Sequence, residues 1–194
     1  MAQELETPLS EEDLRKLNTG DIVYLTGTMV TARDMAHKKA MEIERNKGKL
    51  PVDFSEVAVY HCGPVMRKNG RWEVVVAGPT TSSRMEGFEY EFIKRLGARM
   101  IIGKGGMGNA TAKACKEYGA VYCAFTGGAA VLAAKAIKNV RDVFWMDELG
   151  KTEALWVFDV EKFGPLVVTI DTHGNNLTEE IKKKAEERAK TVRF

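Results

Sequence analysis

Arg33, Arg84 and Lys104 each follow an apolar, β-type run and sit in a glycine- or threonine-rich loop with a helical pattern beyond it. The segments are GTMVTARDMAH, VVVAGPTTSSRMEGF and MIIGKGGMGNATA. A helix N-terminus offers unpaired backbone N–H groups and a partial positive charge, so a cation placed there builds a receptor for carboxylate or phosphate oxygens. Three such receptors on one small chain read as a binder of a small diacid. In the first, Thr31 is expected as the N-cap with Arg33 in the first helical turn, and His37 four residues on shares its face. His37 can hydrogen-bond a substrate, take up a proton or simply orient the site.

The second receptor strings four hydroxyls, Thr80, Thr81, Ser82 and Ser83, between Pro79 and Arg84. An ST-turn and a cap need one or two of them, whereas a loop presenting several donors to ligand oxygens uses more. The third, Gly103-Lys104-Gly105-Gly106-Met107-Gly108, has the form of a dinucleotide-binding G-x-G-x-x-G between strand and helix. The next strand, VYCAFTGG, brings no acidic residue for a ribose, and Lys104 lacks the flanking residues of a Walker A loop. What remains is a glycine-lined oxygen pocket around Lys104 and Gly105, with nucleotide binding kept as an alternative. A related strand exit at Gly127 and Gly128 adds either backbone donors or tight packing.

The elements that must hold these loops follow from patterning. Apolar, β-branched runs predict strands at 21–26, 56–61, 73–77, 98–103, 121–125, 141–146, 154–160 and 165–171. Helical patterns fill 32–47, 83–96, 109–118, 128–137 and 178–191, after a leading segment (1–20) whose short helix is opened by the Ser10/Asp13 capping box. The alternation predicts an α/β class with a mixed sheet, in a single domain covering 1–194. The 178–194 stretch reads as a solvated C-terminal helix, with Ile181, Ala185 and Ala189 on one side available to a partner.

With 29 basic and 27 acidic residues interspersed, a net charge of +2 supplies no basic face for nucleic acid. No apolar run is long enough for a membrane span, and MAQELETPLSEED is unlike a signal peptide, so a cytoplasmic location is the expectation. Cys62, Cys115 and Cys123 are odd in number and widely spaced, which suits reduced thiols rather than a disulfide framework or a metal cluster on this chain. His61 beside Cys62 is read as a loop residue and His173 as turn chemistry, and no metal ligands are assigned.

Taken together, GTMVTARDMAH, YHCGP, AGPTTSSRM, GKGGMG, the EALW of Glu153 to Trp156, and VVTIDTHGN resemble the class I iron–sulfur hydro-lyases. The likeness is to the β subunit or C-terminal domain of fumarate hydratase class I and L-tartrate dehydratase, from about Leu9 to Leu177. It implies a swivelling β/β/α domain that closes over a 4Fe-4S cluster carried by a separate α subunit, with an α2β2 assembly. It implies that Arg33 and Arg84 bind substrate carboxylates, that Lys104 joins them, and that Thr80 contacts substrate and is a candidate base for the C3 proton. Thr81 and Gly105 complete the expected binding loop residues. Water would then be added to or removed from a small dicarboxylate, fumarate to L-malate leading and L-tartrate second. A non-catalytic carboxylate-binding module is the reading from another class.

Overall fold

The computed structural model describes residues 2–191. In chain order these form β1 (Gln3–Glu6), α1 (Glu11–Arg15), β2 (Ile22–Thr31), α2 (Asp34–Arg45), β3 (Ala58–Tyr60), β4 (Val65–Asn69), β5 (Arg71–Val76), α3 (Glu86–Leu96) and β6 (Met100–Gly103). There follow α4 (Asn109–Tyr118), β7 (Val121–Ala124), α5 (Ala130–Ala136), β8 (Ile137–Phe144), α6 (Met146–Leu149), β9 (Leu155–Ile170) and α7 (Leu177–Thr191). The mixed α/β class expected from the sequence is present.

β2, β3, β6 and β7 run parallel, in that order across the sheet. β9 runs antiparallel to β7 on one side and to β2 on the other, so five strands close into a barrel-like ring. β8 hangs on the first half of β9, and β1 on the outer edge of β2. A sheet closed in this way has one inward and one outward face, which the period-two alternation of each strand resolves. Met29, Tyr60, Ile102, Cys123 and Trp156 belong to one buried cluster, whereas their neighbours Val30, Val59, Ile101, Tyr122 and Val157 pack with α2, α3 and α4 in another. Closure was not legible in the sequence, because nothing local says that β9 pairs on both edges.

Several boundaries differ from expectation. The runs at 154–160 and 165–171 are one strand, β9, carried through Gly164 and Pro165 where its pairing to β2 shifts register. Strand β8 starts at Ile137, four residues earlier than predicted. β1 and β4 were missed. β4 is an exposed, charged strand turned into β5 at Gly70, which takes a positive φ of 69°. The helix at 109–118 has the predicted bounds, ended by Gly119 in the left-handed region as α3 is by Gly97. Part of the predicted C-terminal helix, 192–194, lies outside the described residues; the rest, α7, is mostly exposed, with Ile181 at 57%. Among the described residues no helix is long and apolar enough to cross a membrane.

Because β2, β3, β6 and β7 are parallel and neighbouring, the loops that leave their C-terminal ends emerge at one edge. The C-terminal ends of parallel strands are where both closed and open α/β sheets bind ligands. Arg33 follows β2, His61 and Gly63 follow β3, Lys104 follows β6 and Gly127 follows β7. Backbone bridges from Cys62 to Pro79 and from Thr81 to Lys104 bring the hydroxyl loop to the same place.

Candidate functional site

Thr31 is not a helix cap. It is the last residue of β2, fully buried, and its hydroxyl donates to the Ala154 carbonyl at 3.1 Å and accepts from Trp156 N–H at 3.0 Å. Arg33 takes the N-cap position with extended backbone and no side-chain cap bond. Its guanidinium lies against the loop at Gly63 and pairs with Glu153 at 3.1 Å. The other oxygen of Glu153 accepts the Met35 N–H at 3.0 Å, so a carboxylate 118 residues away fills the start of α2. Arg33 Nε is buried without a hydrogen-bond partner.

Arg84 reaches the same loop. Its Nε and Nη2 donate to the two oxygens of Asp34, at 3.3 and 3.0 Å, and Nη2 also donates to Thr80 Oγ1 at 2.9 Å. Partial burial by itself would raise the Asp34 carboxyl. The Arg84 hydrogen bond, the Asp34 backbone N–H and the charges of Arg84 and Arg33 outweigh it and hold the group below the usual range. Thr80 is anchored by its N–H, which donates to the His61 carbonyl at 2.7 Å. Of the four hydroxyl residues, Ser82 is fully buried and ties the loop together; Thr81 and Ser83 are exposed and Thr80 half-buried.

Lys104 has a different environment. Its alkyl chain lies over Gly127, where a Cβ would come within 2.9 Å of Lys104 Cδ, so the β7 exit serves here as a packing surface. No carboxylate among the described residues pairs with its ammonium group. Gly105 is exposed at φ 79°, and its carbonyl accepts the Tyr122 hydroxyl at 2.9 Å.

The third receptor must be corrected. The amides at the start of α4 are already taken by Glu86, which accepts from Gly108 N–H (2.7 Å), Ala110 N–H (3.0 Å), Thr111 N–H (3.3 Å) and the Thr111 hydroxyl (2.7 Å). A carboxylate seated there repels a phosphate, which removes the footing of the nucleotide reading. Lys104 therefore contributes as a side chain beside a glycine loop, without a helix terminus behind it.

Two histidines lie in the interior behind these loops. His37 is fully buried; Nδ1 meets the Arg33 carbonyl at 2.9 Å and Nε2 faces Glu89 at 3.7 Å. Both ring nitrogens are thus turned away from Thr80, so His37 is not its proton acceptor in this arrangement. His61 lies past the end of β3, as a loop residue should, but it is not at the surface. It is fully buried just past β3, with Nδ1 2.9 Å from Ser82 Oγ and Nε2 3.3 Å from Glu89. By donor type, His37, His61 and Glu89 are the one group among the described residues able to ligate a metal. Burial alone would raise the Glu89 carboxyl, but the two imidazoles overcome it and hold it down at about 2. Burial pushes the His61 imidazole below its usual value, with Glu89 pulling the other way.

Asp34, Glu86, Glu89 and Glu153, which hold the site in shape, were not singled out for this from the sequence. Asp34, Glu86 and Glu153 lay in noted segments, GTMVTARDMAH, VVVAGPTTSSRMEGF and EALW, and Glu89 in none. The three cysteines are buried and unpaired. Burial raises all three thiols, Cys123 to about 12, and among the described residues they do not come together as the ligand set that an iron–sulfur cluster needs. His173 is exposed and in a turn, its N–H donating to Asp171 at 2.9 Å.

Residues 2–181 match a family model described as Fumarase C-terminus. The chain is 49% identical over 189 residues to the L(+)-tartrate dehydratase subunit beta of Escherichia coli (strain K12), spanning 97% of this chain and 92% of that one. It is 48% identical over 181 residues to a putative L(+)-tartrate dehydratase subunit beta of Methanocaldococcus jannaschii, 93% of each. A putative fumarate hydratase class I of Geobacillus stearothermophilus is 45% identical over 186 residues, which is 95% of this chain but 35% of that protein.

Two outcomes follow from this geometry. Replacing Glu86 with Ala strips four hydrogen bonds from the start of α4. It should lower unfolding free energy by roughly 1–2 kcal/mol, with faster amide exchange at Gly108, Ala110 and Thr111; unchanged exchange there contradicts the capping role. Acidification should also destabilise the fold. His61 and Glu89 both have folded values below their unfolded ones, 6.5 and 4.5, so the unfolded chain takes up protons first. The stability they confer is complete above 6.5 and falls as pH drops, first through the His61 range and then from 4.5 toward about 2. Urea midpoints measured across pH should decline on that side; a flat or rising profile refutes it.

Proposed function

This chain belongs to the Fumarase C-terminus family, and on that footing we propose that it is the β subunit of a hydro-lyase acting on a small dicarboxylate. Reversible hydration of fumarate to L-malate is our leading reading. L-tartrate dehydration is the second, favoured by the names of two-subunit relatives that the chain matches over nearly their whole length. The observation that carries the proposal is the meeting of Arg33, Arg84 and Thr80 around Asp34 on the loop edge that also bears Lys104.

In our reading the two arginines take the two carboxylates of the substrate. Each is already oriented by a carboxylate of this chain, Glu153 for Arg33 and Asp34 for Arg84, yet keeps donors to spare. Lys104 has no carboxylate opposite it among the described residues, and in our reading its charge stabilises the negative charge that builds beside the reacting carbon. Holding both ends of a diacid also fixes the C2–C3 bond relative to Thr80, where proximity lowers the barrier.

Thr80 is the base we infer for the C3 proton. A threonine hydroxyl is a poor base by itself, but Arg84 Nη2 donates to its oxygen and stabilises charge there. Asp34 accepts from the same nitrogen and so holds Arg84 in place beside Thr80. The buried thiols of this chain do not suit a 4Fe-4S cluster, so in our reading the cluster belongs to a partner α subunit in an α2β2 enzyme. This chain then supplies charge, orientation and a hydroxyl, and is inactive alone. A cytoplasmic setting is part of the same proposal.

Anaerobic co-expression with a cysteine-bearing α subunit should yield turnover of fumarate and L-malate, or of tartrate, that neither chain shows separately. In that assembly Arg84→Lys keeps the charge but loses the two-pronged geometry, and kcat/KM should fall by roughly 10–100-fold. Activity of the isolated chain, or a wild-type rate in Arg84→Lys, would count decisively against the reading.

A further inference from the structure

The interior behind the site contains a cluster whose hydrogen-bond bookkeeping does not close with ordinary protonation states. His37 on α2, His61 after β3 and Glu89 on α3 are each 0% exposed. Glu89 Oε2 lies 3.3 Å from His61 Nε2 and 3.7 Å from His37 Nε2. The two Nε2 atoms and both Glu89 oxygens are buried with no conventional hydrogen-bond partner. Phe88 and Phe92 pack against the His37 ring, so water does not screen it on that side.

The outer nitrogens fix the count. A carbonyl oxygen only accepts, so the 2.9 Å contact to the Arg33 carbonyl requires a hydrogen on His37 Nδ1. If His37 is neutral, its Nε2 then presents a bare lone pair to a carboxylate lone pair. In a dry interior that leaves both groups unsatisfied, which is costly. His61 has a way out. Ser82 Oγ accepts the Lys104 N–H at 3.1 Å and its own hydrogen can go to His61 Nδ1, leaving a hydrogen on Nε2 for Glu89. One further proton is needed between Glu89 and His37.

We propose that His37, Glu89 and His61 bind one proton beyond two neutral imidazoles and a carboxylate, carried on His37 Nε2 and directed at Glu89 Oε2, and that this bonded triad positions the substrate-binding loops. The connections run outward from it. His37 grips the Arg33 carbonyl, the His61 carbonyl accepts the Thr80 N–H at 2.7 Å, and His61 reaches the Lys104 N–H through Ser82. Three strand exits and the hydroxyl loop are thereby tied to one buried carboxylate. All three side chains are buried beneath the loop edge, so we assign them as positioning residues. Asp34 on α2, Cys115 on α4 and Tyr122 on β7 are the other titratable groups that interact electrostatically with the triad. A divalent ion at the same point would need both Nε2 atoms bare and would leave a net positive charge in an unhydrated interior, which argues for the proton.

The positioning role rests on the carboxylate-binding reading, whereas the proton count does not. The chain has three histidines, and the exposed His173 is an internal reference. Imidazole 15N spectra of the full-length chain can be recorded between about pH 5.5 and 8.5. The two buried rings should hold constant shifts over that range, with slowly exchanging ring protons. Glu89→Gln should abolish the low-field ring proton and speed amide exchange at Thr80 and Lys104 by roughly tenfold, leaving the β4–β5 hairpin amides unchanged. Three histidines titrating together would overturn the proposal. So would buried-ring shifts that respond to added zinc or to chelator, which would make the cluster a metal site, or unaltered exchange at Thr80 and Lys104. If Glu89→Gln fails to fold, the wild-type titration decides. Loss of the hydro-lyase reading would leave these spectra as they are, so the two failures are separable.

Discussion

Strand β9 is hydrogen-bonded along both edges, to β2 on one side and β7 on the other, and this double pairing governs the rest of the molecule. It closes β2, β3, β6 and β7 into a ring, so four parallel strands end together and cannot splay. Loops leaving those ends are held at a shared edge by a filled interior on one side and by α2, α3 and α4 on the other. A ligand site assembled from four separate loops depends on that fixed spacing, since errors of about 1 Å in placing charged groups cost heavily in rate.

Electrostatics at the edge follows a repeated rule: each structural donor set is met by a carboxylate from this same chain. Glu153 serves Arg33 and the start of α2, Asp34 serves Arg84, and Glu86 fills the start of α4. The arginines are therefore neither free nor spent. They are oriented, partly neutralised, and retain donors, while Lys104 carries charge with no carboxylate opposite it among the described residues. Such a surface favours a dianion of small size over a bare phosphate at a helix end. Oriented cations also suit turnover, because they do not have to reorganise as charge develops.

Much of this was legible in the sequence because it is local. The α4 bounds, the strand–loop–helix order around Arg33, Arg84 and Lys104, and the buried cysteines follow from periodicity, glycine punctuation and residue type. What escaped was long-range. Glu86 caps a helix that begins 23 residues later, and Glu153 caps one more than a hundred residues earlier, so no short motif could pair them. Thr31 looked like a cap because Asp34 follows at the capping-box spacing, but β2 runs on through it and its hydroxyl is consumed by β9. Gly63 and Pro64 rightly put His61 beyond a strand end, but its burial was not legible because its partners, Ser82 and Glu89, come from other segments. β9 was split in two because Gly164 and Pro165 usually end a strand; here they sit where the strand shifts register.

The most direct test of the site is a crystal structure of the assembled two-subunit enzyme with an unreactive C4 diacid such as succinate. The carboxylates of the diacid should lie within hydrogen-bonding distance of the Arg33 and Arg84 guanidinium groups, with Lys104 in contact and Thr80 Oγ1 facing the carbon between them. A diacid bound elsewhere, or bound at this edge without touching both arginines, would contradict the assignment.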